Sequence, residues 1–214
     1  MLKNKRILIT AGPTWEKIDP VRVISNTATG ETGFVLAGMA RKYGAKPTVL
    51  MGPAPCGKAD SRIKIKYFKY FDELKSLIKK ELKSKKYSIL IHCAAVSDYK
   101  IKAASKGKIS SGLKNLKLDL LPNKKIIDSI KKIDKDIFLV GFKYEPLSGR
   151  SKLIAKAKKL ISSSEADIVI ANTRKTGGYC AYIVGKNEIC GPFYSKTSMA
   201  AQLFRKIGES LCRI

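Results

Sequence analysis

With 214 residues and 44% hydrophobic content, the chain can bury a core of its own; its five cysteines are odd in number and lack a CxxC pair, which argues against a zinc site or a secreted disulfide framework. The formal charge of +26 raises nucleic-acid binding, but 35 lysines against 8 arginines, scattered over every predicted helix, describe solvated faces better than a sequence-reading surface. No apolar run approaches the roughly 18 residues of a membrane span and no leader is read at Met1, so the expectation is a cytoplasmic protein with neither membrane nor specific nucleic-acid partners.

Arg6-Ile7-Leu8-Ile9-Thr10 reads as a buried strand, followed by nearly twenty irregular residues through Gly30. A helix then presents Val35, Leu36, Met39, Ala40 and Tyr43 on one face and stops at Gly44. Pro47 to Met51 is a second strand, Ile63 to Tyr67 a short alternating one, and a helix follows with Leu74, Leu77, Ile78 and Leu82 inward. Ser88 to Ala95 is a continuous apolar strand, as expected when helices cover both faces. Residues 99–115 are rich in Lys, Ser and Gly and read as a mobile loop, after which Leu116, Leu118 and Leu120 alternate as a half-exposed strand. Asn123 is placed as the cap of a helix burying Ile126, Ile127, Ile130 and Ile133. Strand 137–142, a helix around Leu153, Ala157, Leu160 and Ile161, and strand 167–172 resume the alternation. A hairpin (181–184 and 188–190, turning at Gly185-Lys186-Asn187) and a helix from near Ser195 end the chain. The whole predicts one α/β domain over 1–214: a Rossmann-like, doubly wound, mostly parallel sheet with helices on both faces and a C-terminal β-hairpin.

In such sheets ligands bind beyond the carboxyl ends of the strands. Four segments leave those ends carrying small or polar residues: Ala11-Gly12-Pro13-Thr14, Ala94 to Asp98, Gly141 to Glu145, and Ala171-Asn172. Small residues there let a nucleotide approach backbone N–H groups. Thr29-Gly30-Glu31-Thr32-Gly33 invites a dinucleotide reading, hence an NAD(P)-dependent oxidoreductase as the alternative class. That fingerprint should follow the first strand at once, whereas about eighteen residues intervene. A tight turn at Gly30 and close helix–sheet packing at Gly33 account for the glycines instead.

The run Ile9-Thr10-Ala11-Gly12-Pro13-Thr14-Trp15-Glu16, continued by Asp19 to Gly33 with Val21-Arg22 and Ile24-Ser25-Asn26, resembles the phosphopantothenate–cysteine ligase family. Ala94 to Tyr99, Gly107-Lys108-Ile109, Val140-Gly141-Phe142 with Glu145, and Ile170-Ala171-Asn172 match the family in the same order. The resemblance implies condensation of 4'-phosphopantothenate with L-cysteine through an acyl-nucleotidyl intermediate. CTP would be the cosubstrate, with ATP as the alternative, and Mg²⁺ would ride largely on phosphates and water, so no protein metal cluster is expected. It further implies a homodimer. Relatives often carry a flavin-dependent decarboxylase upstream; here the expectation is no FMN and a separate decarboxylase.

Carried over by position, Asn26 would hydrogen-bond the acyl-nucleotidyl intermediate and Lys108, in the loop, would close over the triphosphate. Asp98 would contact the nucleotide and Phe142 would line its pocket. Gly12, the His92-Cys93-Ala94 backbone, and Lys124, Lys125, Ile126 and Ile127 fall where the family holds base, sugar or phosphate. Lys158 matches a further nucleotide-side lysine in a region of ambiguous register. Ala95 and Arg22 would face the acyl substrate; Arg22 is read either as neutralising an anion or as a structural partner of Asp19 or Glu16. The chain departs from the family at Ala28, Glu31, Ser110, Ser111, Lys124, Lys125, Thr173 and Ser162, where hydroxyl, basic or acidic residues are exchanged. These departures bear on phosphate affinity and nucleotide choice, and leave open a diverged member with weakened activity.

Overall fold

The protein is described by a computed structural model covering residues 2–55, 60–175 and 178–212, so Cys56 lies outside the described residues. The other four cysteines are free. An eight-stranded sheet organises the molecule. Six strands run parallel: β1 (Arg6–Ala11), β4 (Lys46–Met51), β5 (Lys64–Tyr67), β6 (Ile89–His92), β9 (Phe138–Tyr144) and β10 (Ile168–Lys175). In space the order is β5-β4-β1-β6-β9-β10, extended antiparallel by β11 (Gly178–Gly185) and β12 (Ile189–Phe193). The chain thus winds outward from β1 to β5, returns to the other side of β1 as β6, and winds outward again. The doubly wound class read from the sequence is the observed one, and the switch point falls between β1 and β6.

Residue alternation along the strands sorts the core into two layers. Ile7, Ile9, Val49, Ile91, Val140 and Ile170 meet α1 (Glu31–Lys42) and α5 (Lys196–Leu211), whose buried residues include Leu36, Ala40, Leu203 and Phe204. Leu8, Leu50, Leu90, Leu139 and Val169 face the other side, against α2 (Phe71–Lys83), α3 (Ile130–Ile133) and α4 (Arg150–Ser164). Because both faces are covered, β1 and β6 carry unbroken apolar runs rather than alternation. Gly30, at φ 75°, provides the left-handed entry to α1. Gly33 sets that helix directly on β1: a Cβ there would stand 2.2 Å from the Ala11 Cβ.

Four expectations need correction. The stretch after β1 is not irregular throughout, since β2 (Trp15–Lys17) pairs antiparallel with β3 (Val23–Ser25). The expected strand at Leu116, Leu118 and Leu120 begins only at Leu120: β8 (Leu120–Pro122) pairs with β7 (Tyr99–Ile101), the first residues of the expected loop. Leu116, Leu120 and Leu121 are exposed, and without a buried face the leucine alternation has nothing to fix a longer register. The helix after Asn123 starts later, as a 3₁₀ turn at Ile127–Ser129 leading into α3, because the Asn123 side chain bonds elsewhere. The C-terminal hairpin is longer than read and is hydrogen-bonded to β10, closing the sheet's antiparallel edge.

Candidate functional site

The carboxyl ends of β1 and β6 are stitched together just past the switch point. Cys93 N donates to Thr10 O at 3.2 Å, Ala95 N to Gly12 O at 2.9 Å, and Thr14 N to Ala95 O at 3.3 Å. Two buried threonines reinforce this. Thr10 Oγ1 accepts from Ala94 N at 3.2 Å and lies 2.9 Å from His92 Nδ1, while Thr14 Oγ1 accepts from Ser97 N at 2.9 Å. Burial lowers the His92 pKa to about 4, so the ring is uncharged at neutral pH. Burial likewise pushes the Cys93 thiol up to about 12, and its Sγ–H donates to Thr10 O at 2.9 Å. Neither group is poised for proton transfer or nucleophilic attack near pH 7.

Asn26 follows β3, and its Nδ2 donates to Ala95 O at 3.1 Å and, more loosely, to Val96 O at 3.5 Å. The side-chain amide is exposed yet held against the end of β6, and its Oδ1 makes no hydrogen bond among the described residues, while the Asn26 backbone O accepts from Ser25 Oγ at 3.2 Å. Asn123 ties in the next segment: Nδ2 donates to Ser97 O at 3.1 Å and to Glu16 Oε1 at 3.4 Å, and its backbone N to Asp98 O at 2.8 Å. Burial raises the Glu16 pKa despite that Asn123 bond.

A cleft of about 140 Å³ opens where these segments meet β9. Of the residues singled out from the sequence, it brings together His92, Ala94, Asp98, Lys124, Lys125, Ile126, Ile127 and Phe142. Phe71, at the start of α2, lines it and was missed by sequence reasoning; Lys143, inside the Gly141 to Glu145 segment but given no role there, also lines it and forms a 3.0 Å ion pair with Glu145. Lys156 and Lys143 hold the Glu145 carboxylate below its usual range. Thr10 and Thr14 belong to the motif already quoted, and only their depth in the fold shows what their hydroxyls do. Within β10, opposite Tyr144 at the end of β9, Asn172 Oδ1 is buried without a hydrogen-bond partner among the described residues.

Seven predicted residues do not line this cleft: Gly12, Asn26, Cys93 and Ala95 belong to the hydrogen-bonded strand ends and the Asn26 contact beside it, and Lys158, Lys108 and Arg22 stand elsewhere. Lys158 lines a larger cavity of about 720 Å³ with Lys131, Lys132 and Lys135, at the strands' amino ends. Lys108 sits exposed on the loop between β7 and β8, in no ion pair among the described residues. Arg22 meets the second of its alternative readings, with Nη1 2.6 Å from Asp19 Oδ2. The departure at Glu31 also finds a partner: Lys196 Nζ on α5 lies 2.5 Å from its carboxylate, which sits in the first turn of α1 where the helix dipole favours an acid.

The fold is that of an α/β protein of the doubly wound class, with a cleft beyond the carboxyl ends of β6 and β9, next to the switch point. The chain belongs to the family described as the DNA/pantothenate metabolism flavoprotein C-terminal domain, whose model matches residues 2–210. Similar curated relatives include the coenzyme A biosynthesis bifunctional protein CoaBC of Thermococcus kodakarensis, 39% identical over 178 residues, covering 83% of this chain and 43% of the relative. The CoaBC of Borreliella burgdorferi is 36% identical over 215 residues, covering 95% and 52%. The chain therefore spans about half the length of the curated relatives it matches. Among solved structures, the DNA/pantothenate metabolism flavoprotein from Streptococcus pneumoniae superposes with a TM-score of 0.85 at 26% identity, covering 96% of this chain and 99% of that one. Cab2 H337A, solved with phosphopantothenate-cysteine, shares the fold at a TM-score of 0.79 and 17% identity, covering 99% of this chain and 89% of its own.

Proposed function

We propose that this protein condenses 4'-phosphopantothenate with L-cysteine, using CTP in preference to ATP, in coenzyme A biosynthesis. The observation that carries the reading is the Asn26 amide, held against Ala95 and Val96 at the switch point of a fold shared with the CoaBC relatives. In the first step a substrate carboxylate oxygen attacks the α-phosphorus, forming a P–O bond as pyrophosphate leaves. The cysteine amine then attacks the activated carbonyl, forming the amide as the nucleoside monophosphate leaves and the nitrogen loses its proton.

The residues divide this work by position. The base and sugar would enter between Phe142 and the 124–127 segment, where backbone and lysines line the cleft. At about 140 Å³ the cleft is below the roughly 300–1,000 Å³ typical of small-molecule sites, so only part of a nucleotide would seat in it and the triphosphate would extend over the mouth. Lys108 would meet the phosphates there. Asn26 would hydrogen-bond the intermediate, offering donor and acceptor without added charge. Ala95 would border the acyl group.

No group of three potential metal ligands occurs among the described residues. Mg²⁺ would accordingly arrive on the triphosphate and supply charge neutralisation. The family description names a flavin; we assign FMN to the part of the relatives beyond the match. The reading extends to a cytoplasmic homodimer; among the described residues no helix is long and apolar enough to cross a membrane.

The test is pyrophosphate release with CTP, Mg²⁺ and phosphopantothenate, followed by product formation on adding cysteine. Absence of nucleotide-dependent turnover with either CTP or ATP would overturn the proposal.

A further inference from the structure

Between β7 and β8 the chain makes a long excursion, residues 102–119, in which every residue through 117 is exposed except Ile109. The reason is a carboxylate ninety positions earlier. Asp19, at the turn joining β2 to β3, has a fully buried side chain, a costly place for a charge unless its oxygens are satisfied. Oδ1 accepts from Val21 N at 2.8 Å and Arg22 N at 2.7 Å, closing the turn. Oδ2 faces outward to the loop, accepting from Ile109 N at 3.1 Å and from Arg22 Nη1 at 2.6 Å. Arg22 Nη1 also donates to Ile109 O at 3.0 Å. Both polar groups of one loop residue are thus gripped by one ion pair whose carboxylate is buried. Ser105 N adds a bond to Ile18 O at 2.9 Å, on the same turn.

Burial alone would raise the Asp19 pKa; the N–H groups of Val21, Ile109 and Arg22, with the Arg22 side chain, outweigh it and hold the value at about 2. The carboxylate therefore stays charged throughout the neutral range, and the grip is permanent rather than pH-switched. Its place is also telling. Ile109 directly follows Lys108, and Arg22 lies four residues before Asn26 on the same hairpin.

We infer that Asp19 and Arg22 are positioning residues: they latch the loop at Ile109 and so fix Lys108 relative to the hairpin that carries Asn26. The inference rests on the reading of Lys108 as the lysine that meets the triphosphate. Asp19 does not touch the reactants; it acts by limiting where Lys108 can go.

Asp19→Asn tests this cleanly. One oxygen remains for the turn N–H groups, while the atom facing Ile109 and Arg22 becomes an NH₂ that cannot accept. In limited trypsin digestion of the ligand-free protein, cleavage at Lys106, Lys108 and Lys114 should become about ten-fold faster or more, with the remaining sites unchanged, because a charge-assisted anchor has been removed from an otherwise exposed segment. Should Asp19→Asn unfold the chain, Arg22→Lys, which keeps the charge without the fork, replaces it. In steady-state assays Asp19→Asn should raise the KM for CTP, and combined with Lys108→Met it should cost no more than Lys108→Met alone. Unchanged digestion overturns the latch, and additive kinetic losses overturn its positioning role. A wild-type protein without ligase turnover overturns the functional reading, and the digestion then decides the latch by itself.

Discussion

At the scale of single residues, the proposed site would work through geometry more than through shifted acids and bases. His92 shows this best. Its pKa is lowered from 6.5 to about 4, so the unfolded chain binds a proton that the folded protein refuses between those values. The His92 contribution to stability is therefore present above about pH 6.5 and lost as pH falls toward 4. Urea midpoints measured between pH 7 and 4.5 should show this slope in the wild type and a shallower one in His92→Asn. Asp19 acts in a lower window: its pKa is depressed from 3.8 to about 2, so its contribution persists above about 3.8 and disappears as pH drops through 2. Asp19→Asn should flatten the stability profile between pH 4 and 2 and leave the His92 window intact. Asn26 carries no charge and gives no pH signature. Replacing it by Ala removes one oriented amide, and the loss in overall turnover should be about 10²–10³-fold, the usual scale for a preorganised donor at a reacting centre.

Elements explain which features could be read in advance. The strands β1, β6 and β9 and the helices between them were legible because each buries a continuous or periodic apolar face. The β2–β3 hairpin was not, because its cross-strand pairs, such as Trp15 with Ser25 and Lys17 with Val23, show no alternation of apolar and polar residues. Its turn is made by an aspartate whose partners include a residue ninety positions away. The lines of the cleft were legible from small residues at strand ends and from motif order. The bond from Asn26 to Ala95 and the latch at Ile109 were not, since neither leaves a trace in local spacing. Lys158 shows the reverse case: a motif position fell on α4, but the helix turns it toward the amino-end cavity. The contact between α1 and β1 yields a sharp expectation. Gly33→Ala drives a methyl to 2.2 Å from the Ala11 Cβ, and overpacking of this kind costs about 1–3 kcal/mol. Denaturant unfolding should report that loss, and Gly38→Ala, with open space around it, should lose none of it to packing.

Across the whole molecule the excess charge is not focused on the proposed site. The cavities of about 720 and 520 Å³ both open at the amino ends of the parallel strands, lined by lysines and arginines such as Lys131, Lys135, Arg6, Lys46 and Lys64. A basic surface spread this way attracts polyanions weakly and without sequence preference. DNA retained at low salt should be released by about 0.2 M salt, with no competitor sequence favoured. Binding of CTP at the proposed cleft should survive that change, because part of the ligand would be held by backbone and ring contacts.

The most direct test of the central claim follows the two half-reactions separately in wild type and Asn26→Ala, with radiolabelled CTP, Mg²⁺ and phosphopantothenate, before and after cysteine is added. The account predicts cysteine-dependent release of the monophosphate in the wild type. It predicts an accumulating phosphopantothenoyl-nucleotide in Asn26→Ala, with the second step slowed. A wild-type protein that forms neither intermediate nor product with CTP or ATP, or an Asn26→Ala variant that completes both steps at the wild-type rate, would contradict it.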